Sequence, residues 1–322
     1  MSASTPHVGA PMAGSAPAAR HTTETARHRA RVRNRLITTG LKTLLAAFVA
    51  MVFFFPILWW ILAAFKTTPA ILTAPPGIVN FDATLRSIRV VLFNWNPNMS
   101  GLRQEGVGAG TFYSIPYLID SAIIGIGSTL FVLLLSTPAA YALSRFRIRR
   151  KKDLTFWILS QRMLPVAAIA FPLNVMFREL GLIDTYRGLI LVHTAINAPL
   201  AVLLMLSFMD EVPRDLDDAA MVDGASRFRA FTGIVYHYLR GGLMATGVLC
   251  FVFSFSEFLL TLVLTQGGIR TVPVASSTFT SSFQNEYGYM AALGTASTLP
   301  IFLFILLVQR HLVRGLTLGA VK

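Results

Sequence analysis

The sequence predicts an all-α membrane protein whose main domain contains six transmembrane helices. Hydrophobic residues make up 54% of its 322 residues and charged residues only 13%, whereas an ordinary soluble domain carries roughly 25% charged residues. Several apolar runs also approach the ~20 residues that a helix needs to cross a bilayer. The net charge of +13 comes from basic residues that flank these runs. That placement is expected of topology signals and not of a nucleic-acid-binding surface.

Six apolar runs supply the predicted spans, and each has the length and composition of a membrane helix. We place the spans at Leu41–Phe65, Tyr117–Leu143, Leu154–Phe177, Gly188–Met209, Leu243–Thr265 and Met290–Val308. Pro199 and Pro300 fall within the fourth and the sixth span. Prolines are tolerated in membrane helices where neighbouring helices satisfy the freed carbonyl groups, so they favour a packed bundle.

Residues 1–35 precede the first span and are rich in Ala, Ser, Pro, Thr and Arg, without apolar periodicity. We predict a disordered tail here, with a surface helix at its end as an open alternative, and assign residues 36–322 to the transmembrane domain. A cleavable signal peptide is the alternative, but the apolar run that follows is long and lacks a convincing small-residue cleavage site. The first outer loop, residues 66–116, carries apolar residues at helical spacing from Leu85 to Leu92, which predicts an amphipathic helix.

The distribution of basic residues predicts which side of the membrane each loop faces. Lys and Arg are concentrated in the tail, in the RFRIRRKK segment at 145–152, in the loop at 213–237 and at the C-terminus. Cytoplasmic loops carry the excess of basic residues, so both termini and the 213–237 loop are predicted to face the cytoplasm. A soluble partner can reach that loop there.

The 213–237 loop has the pattern of two short helices joined by a turn. Pro213 stands near the first turn of the first helix, and acidic residues follow at its positive dipole end. Gly224 can adopt a positive φ angle and end that helix. Such a piece can insert into a cleft of a partner protein and transmit the motion of that partner as a rigid body.

The side chains of this loop have chemistry suited to a partner surface. We expect its acidic residues to stay solvated or to pair with arginines of a partner: Asp217, Asp218 and Asp223. Ala219 and Ala220 have small side chains and are expected to leave a shallow surface on which another protein approaches closely.

The same residues resemble the cytoplasmic coupling loop of bacterial ABC importer permeases. The family pattern is roughly E-A-A-x-x-D-G-A, an apolar stretch, and then I-x-L-P. The matching positions are Asp218, Ala219, Ala220, Asp223, Gly224, Ala225, Phe231 and Ile234. Ile234 is the first residue of the final I-x-L-P motif. Asp218 replaces the usual glutamate, and His237 replaces the usual proline. The resemblance implies a type I importer permease bundle in which residues 210–240, the coupling segment, dock on an ATPase.

The C-terminal sequence QRHLVRGLTLGAVK resembles the end of the second permease subunit of maltose-type carbohydrate importers. Arg162-Met163-Leu164-Pro165 and Ser256-Glu257-Phe258 also resemble that group. In the family this tail approaches the ATPase dimer. The polar residues available here for that contact are Gln309, Arg310, Arg314 and Lys322.

The resemblance also implies the assembly around the chain. A second permease subunit would form a heterodimer with it, two ATP-binding subunits would use ATP and Mg²⁺, and an extracytoplasmic solute-binding protein would deliver a carbohydrate or polyol. The complex would lie in the bacterial inner membrane. The chain itself has no G-x-x-x-x-G-K-[ST], H-E-x-x-H or G-x-S-x-G motif, so we expect it to bind no cofactor or metal and to catalyse no reaction.

Polar residues inside the predicted spans are candidates for the substrate pathway, because they normally face a cavity or the bundle interior. The candidates are Gln161, Arg162, Asn174, Asn197, Ser256 and Glu257. Hydrogen bonding between helices is the alternative for the amides and hydroxyls, and for Arg162 and Glu257 the two interpretations are equally open. His193 is interpreted as a packing or hydrogen-bonding residue and not as a metal ligand.

Three other functions remain open from the sequence. The chain could be an ABC permease for another solute such as glycerol phosphate. An ion-driven secondary carrier would use Glu257 or Asp120 to carry the proton, but this alternative leaves the 213–237 pattern unexplained. A membrane scaffold without transport gives no reason to keep Arg162 and Glu257 within spans.

Overall fold

A computed structural model describes residues 18–73, 77, 81–94, 113–280 and 286–318. Of residues 18–34, 36, 307, 308 and 310–318 it describes the backbone alone. The chain divides into two compact units, Met1–Leu58 and Trp59–Lys322. The first unit contains most of the first helix, and the second contains the rest of the bundle.

The described residues are mainly helical. In chain order the helices are α1 Ala18–Ala63, α2 Thr68–Leu72, α3 Arg86–Phe93, α4 Ile115–Arg145, α5 Lys151–Ser160, α6 Val166–Glu179, α7 Tyr186–Glu211, α8 Asp215–Val222, α9 Arg227–Ala230, α10 Tyr236–Tyr238, α11 Arg240–Phe255, α12 Leu259–Leu264, α13 Val272–Ser277 and α14 Tyr287–Leu318. A 3-10 turn, Gln161–Met163, follows α5, and a π-helical turn, Phe231–Val235, follows α9.

Among the residues that the structure describes, four helical stretches are long and apolar enough to cross a membrane: Ile37–Ala63, Ile115–Arg145, Tyr186–Glu211 and Tyr287–Leu306. Two bent pairs of helices meet the same criteria when each is taken as one span, which gives up to six. The first bent pair covers the third predicted span. The second, Arg227–Tyr238 with Arg240–Phe255, joins part of the 213–237 loop to the first part of the fifth predicted span. The amphipathic helix predicted in the outer loop is also present, as α3.

The third predicted span, Leu154–Phe177, is not one continuous helix. It bends by 90° between the 3-10 turn after α5 and the start of α6. Pro165 lacks a backbone N–H, and Leu164 before it is extended, with ψ 123°. The backbone therefore leaves the helical path at Leu164-Pro165 and resumes it at Val166.

The fifth predicted span, Leu243–Thr265, also differs from the prediction. α11 ends at Phe255, and α12 starts at Leu259 after a break at Ser256–Phe258. Both oxygens of the Glu257 carboxylate accept backbone N–H groups of α12, from Leu260 at 2.8 Å and from Thr261 at 3.1 Å. The side chain thus satisfies donors that a helix start leaves unpaired.

The N-terminal prediction differs from the structure over residues 18–35. We predicted a disordered tail to residue 35, but α1 begins at Ala18 and runs for 46 residues. Several of its residues are Ala and Arg, which have high helix propensity. Residues 1–17 lie outside the described part of the chain.

The helices α4, α7 and α11 pack against one another at the centre of the second unit. Val132, Ala201 and Cys250, one from each helix, are fully buried together. A larger cluster at the C-terminal end of α4 joins Tyr141 and Met205 to Val235 and Leu239 of the coupling segment. This apolar contact places the coupling segment directly under the central helices.

Candidate coupling site

The coupling segment consists of two short helices and a sharp turn, as predicted. α8 carries Asp215, Asp217 and Asp218 in its first turn, where the helix dipole favours negative charge. At its other end Gly224 has φ +84°. The Ala225 N–H donates to the Ala220 carbonyl at 2.9 Å and the Gly224 N–H to the Met221 carbonyl at 3.1 Å. This pair of bonds is a Schellman motif, which requires the left-handed residue that glycine supplies.

After the turn, Ser226 starts the second helix. Its hydroxyl accepts the Arg229 N–H at 3.3 Å, which caps α9. The chain then passes through the π-helical turn Phe231–Val235 into α10. The helical stretch Arg227–Tyr238 meets α11 at a bend of 75°, so α8 and α9 lead through a fixed corner into a central helix of the bundle.

Asp217 connects the coupling segment to α4 through a buried ion pair. Its carboxylate accepts Arg145 Nε at 2.9 Å and the Tyr141 hydroxyl at 2.8 Å. The Arg145 and Asp217 side chains are only 5% and 7% exposed. We predicted that Asp217 would stay solvated or bind a partner, and that prediction is wrong. Asp217, Arg145 and Tyr141 form what we call the α4 clamp.

Further hydrogen bonds strengthen this connection. Arg145 Nη2 donates to the Val212 carbonyl at 2.7 Å, just before α8. Arg214 Nη2 donates to the Ser144 carbonyl at 2.7 Å. The Tyr141 ring lies 4.7 Å from the Phe231 ring, centroid to centroid. Residues of α4 therefore contact the segment before α8, within α8 and after α9.

The structure divides the predicted coupling residues into exposed and buried ones. Exposed positions are Asp218, Ala219, Asp223 and Gly224. Ala220 is only 4% exposed, so the prediction that it shares an open surface with Ala219 is wrong; it faces the interior of the segment. Ala225 and Phe231 are half-buried.

Two exposed apolar residues of the segment were missed by sequence reasoning. Val222 is 87% exposed and Phe228 is 75% exposed. They flank the Gly224 turn on either side. No sequence signal marked them, because single apolar residues are common on protein surfaces and their exposure depends on how the two short helices are turned.

The C-terminal contact residues are described only in part. Gln309 is exposed on α14. Arg310 and Arg314 lie on the same helix, but their side chains are not among those described. Lys322 lies outside the described residues.

The candidate pathway residues lie at two kinds of position. Gln161, Arg162 and Ser256 are exposed next to the breaks. The other three hold helices together or are enclosed: Asn174 Nδ2 donates to the Val263 carbonyl at 2.6 Å, Asn197 is 1% exposed, and Glu257 binds α12.

His193 is fully buried and hydrogen-bonded, as predicted. Its Nδ1 lies 2.7 Å from Ser254 Oγ and its Nε2 lies 3.2 Å from Thr261 Oγ1. Thr261 Oγ1 donates in turn to Glu257 Oε2 at 3.2 Å. Because that hydroxyl gives its proton to the carboxylate, its oxygen can accept the His193 Nε2–H. These contacts connect α7, α11 and α12.

Asp120, the second acidic residue considered for proton transport, is also engaged in structural hydrogen bonds. Its Oδ1 accepts the Tyr186 hydroxyl at 2.6 Å, and its Oδ2 accepts the Arg270 N–H at 3.1 Å. The side chain joins the N-terminal end of α4 to α7 and to the segment before α13. Asp120 and Glu257 therefore each hold backbone donors in place.

Comparison with known proteins identifies relatives of the whole bundle. The family described as "Binding-protein-dependent transport system inner membrane component" matches residues 133–318. The probable ABC transporter permease protein y4oR of Sinorhizobium fredii is 33% identical over 88% of this chain and 95% of its own length. The trehalose/maltose transport system permease protein MalG of Thermococcus litoralis is 32% identical over 86% and 94%.

A solved structure supports the fold. It is the crystal structure of a bacterial ABC transporter that imports the acidic polysaccharide alginate, and it matches with a TM-score of 0.63 over 86% of this chain and 97% of that chain. At 17% identity it supports the architecture alone. The family match and the relatives show where the α4 clamp and the exposed turn belong. The chain is one of the inner membrane components of binding-protein-dependent transport systems, the permease subunits of ABC transporters.

Proposed function

We propose that this chain is one permease subunit of an ATP-driven importer for a carbohydrate or polyol. Relatives named for sugars support the substrate class: besides the trehalose/maltose permease, they include the trehalose permease SugB of Mycobacterium tuberculosis, 37% identical over 68% of this chain, and the diacetylchitobiose permease DasC of Streptomyces coelicolor, 26% identical over 87%. The proposed assembly contains a second permease, two ATPase subunits and an extracytoplasmic solute-binding protein.

The observation that carries the proposal is the position of the α4 clamp behind an exposed surface. Asp218, Ala219, Val222, Asp223 and Phe228 are exposed and combine acidic with apolar side chains. A cleft on an ATPase with basic and apolar walls would complement this surface. When the ATPase subunits close, they would move α8 and α9 as a rigid piece.

The clamp supplies the path by which that motion would reach the membrane helices. Arg145 and Tyr141 are on the last two turns of α4, a helix of 31 residues and thus about 46 Å long. A displacement of Asp217 relative to α4 would separate a buried ion pair, which is costly. The helix is therefore expected to follow the coupling segment, and both termini would lie on the ATPase side.

The C-terminal part of α14 would add a second ATPase contact. Gln309 is exposed, and the positions of Arg310 and Arg314 follow on the same helix. Loss of this contact alone is expected to weaken ATPase binding less than loss of the coupling segment, because the apolar anchors Val222 and Phe228 lie in the segment.

The test is purification of the chain from its native membrane in mild detergent, followed by identification of the co-purifying proteins and by transport assays. The proposal expects a P-loop ATPase and a second six-helix permease, and uptake that stops when ATP is depleted. Competition by glycerol phosphate but not by trehalose or maltose would assign the other solute class. Recovery of the chain alone, with uptake abolished by a protonophore and unaffected by ATP depletion, would show that the secondary-carrier alternative is correct.

A further inference from the structure

The breaks of the two interrupted spans meet in the bundle. Arg162 lies in the 3-10 turn just before the first break, and Phe253 lies in α11 just before the second. The guanidinium carbon of Arg162 is 5.0 Å from the centre of the Phe253 ring. Arg162 Nη1 also donates to the Ile196 carbonyl of α7 at 3.1 Å. These two contacts fix the position of the guanidinium against α11 and α7.

This contact lies deep in the expected membrane region. Phe253 follows Arg240 by 13 positions, a rise of about 20 Å along a helix, and the hydrocarbon core is about 30 Å thick. Arg162 lies beyond the ten-residue helix α5, which starts at the basic turn and rises by about 15 Å. Yet the Arg162 side chain is exposed in this single chain, and Phe253 is 42% exposed.

An exposed guanidinium at this depth is unfavourable in contact with lipid. Within the described residues, no carboxylate forms a salt bridge with Arg162. The side chain has five N–H donors, and one of them is used for the Ile196 carbonyl. The surface must therefore face a polar environment, which is either a transport pathway or a polar part of a partner.

The neighbouring side chains have the chemistry of a carbohydrate-binding surface. Ser256 directly follows the end of α11 and keeps a helical backbone conformation. It is exposed three positions after Phe253, so it lies on the same side of the chain. Gln161 is exposed beside Arg162. The surface thus combines an aromatic face with guanidinium, amide and hydroxyl groups, and pockets for polar ligands use a few such groups among apolar ones.

The hydrogen bonds behind this surface hold it in place. Ser254, two positions before Ser256, is within 2.8 Å of Ser128 Oγ and 2.7 Å of His193 Nδ1. Glu257, the next residue, accepts the two N–H groups of α12. The break is therefore a defined structure in which Phe253 and Ser256 are positioned in advance, as a binding surface requires.

We infer that Arg162, Phe253 and Ser256, together with Gln161, form a carbohydrate-contacting surface on the transport pathway, so that this subunit touches the substrate itself. The inference rests on the proposed import of a carbohydrate. The Arg162 guanidinium would donate to sugar hydroxyls while the Phe253 ring packs on the apolar face of a sugar ring. The main rival is that the same surface packs against the partner permease.

The experiment uses the purified complete complex in proteoliposomes, supplied with its binding protein. Uptake of radiolabelled trehalose, maltose and diacetylchitobiose is measured, and two transported sugars are compared. Arg162→Lys keeps the charge but loses the planar donors, and Phe253→Leu removes the ring while keeping an apolar side chain. The matched control is Phe171→Leu, because Phe171 is an aromatic residue of α6 that is 75% exposed.

We expect Arg162→Lys to reduce uptake about tenfold with a normal yield of the complex. Phe253→Leu is expected to change the ratio of the two uptake rates by roughly threefold or more, whereas Phe171→Leu leaves that ratio unchanged. If Arg162→Lys or Phe253→Leu forms a normal complex and changes neither the uptake rates nor the ratio of the two uptake rates, the inference is overturned. So would dissociation of the permease pair in both variants, which would assign the surface to the partner. A wild-type complex that transports none of the sugars would instead contradict the proposed function.

Discussion

Removal of Arg145 tests how firmly the coupling segment is held to the bundle. In Arg145→Ala, Asp217 loses its ion pair but stays buried and bound only to Tyr141. The 2.7 Å bond to the Val212 carbonyl is lost as well. Removing one partner of a buried ion pair costs about 3–5 kcal/mol. Since about 1.4 kcal/mol corresponds to a factor of ten, opening of α8 should become more frequent by roughly a hundredfold to a few thousandfold.

Hydrogen exchange of the α8 amides measures this opening directly. In Arg145→Ala the amides of residues 219–222 should lose about two to three decades of protection, while those of α7 change little. The ratio of sugar transported to ATP hydrolysed should fall at the same time, because the ATPase would move a loosened segment. Arg147→Ala is the matched control, since Arg147 is exposed in the same basic stretch.

A double substitution separates a mechanical role of the clamp from a need for charge. Arg145→Met with Asp217→Leu removes both charges, and buried ion pairs replaced by apolar residues are often as stable as the original. The double variant should regain most of the protection that Arg145→Ala loses. If Arg145→Ala exchanges as slowly as the wild-type protein, the ion pair does not hold α8 and the argument fails.

Three further predictions concern single side chains. A Cβ at Gly224 would meet no atom within 4 Å, so Gly224→Val acts through the φ angle alone, at a cost of about 1–2 kcal/mol. It should impair uptake more than Gly224→Asn, because asparagine tolerates the left-handed conformation. Equal uptake by the two variants would argue against a backbone effect. Phe228→Asp should leave the amount of permease in the membrane unchanged and reduce ATPase co-purification by roughly fivefold or more, and undiminished co-purification would remove Phe228 from the docking surface. Glu257→Ala leaves the Leu260 and Thr261 N–H groups without their acceptors and should lower the thermal unfolding midpoint in detergent through a loss of about 1–3 kcal/mol, a result that an unchanged midpoint would contradict.

The predictable parts of this structure are those encoded by local pattern. Membrane spans follow from apolar length, and the turn at Gly224 follows from a residue type that has few alternatives at a positive φ. The break at Leu164-Pro165 was visible as a proline, but hydropathy does not separate a tolerated proline from a 90° bend. Which of these forms depends on whether neighbouring helices satisfy the freed backbone groups.

Asp217 and Asp218 illustrate a second limit. They are adjacent acids with the same local propensity, yet one is buried and the other exposed, because neighbours on a helix differ in direction by about 100°. The rotation of α8 follows from its apolar stripe, in which Leu216 is half-buried and Ala220 is buried. That stripe was readable, and it would have placed Asp217 at the edge of the buried face; its ion partner on α4 was not readable, because the contact spans 72 positions of the chain.

The polar contacts of α4 would let the proposed coupling proceed without a flexible path through the bundle. At its C-terminal end Arg145 and Tyr141 bind Asp217; in its middle Ser128 Oγ lies 2.8 Å from Ser254 Oγ; at its N-terminal end Asp120 accepts the Arg270 N–H. One continuous helix is thus attached to the coupling segment, to the residue beside the break in span five, and to the segment that precedes α13. Packed interfaces tend to switch between discrete arrangements and resist gradual deformation. A rigid displacement of α4 therefore acts on all three attachments together. The break at Ser256–Phe258 lies beside the middle attachment, which joins Ser128 to Ser254.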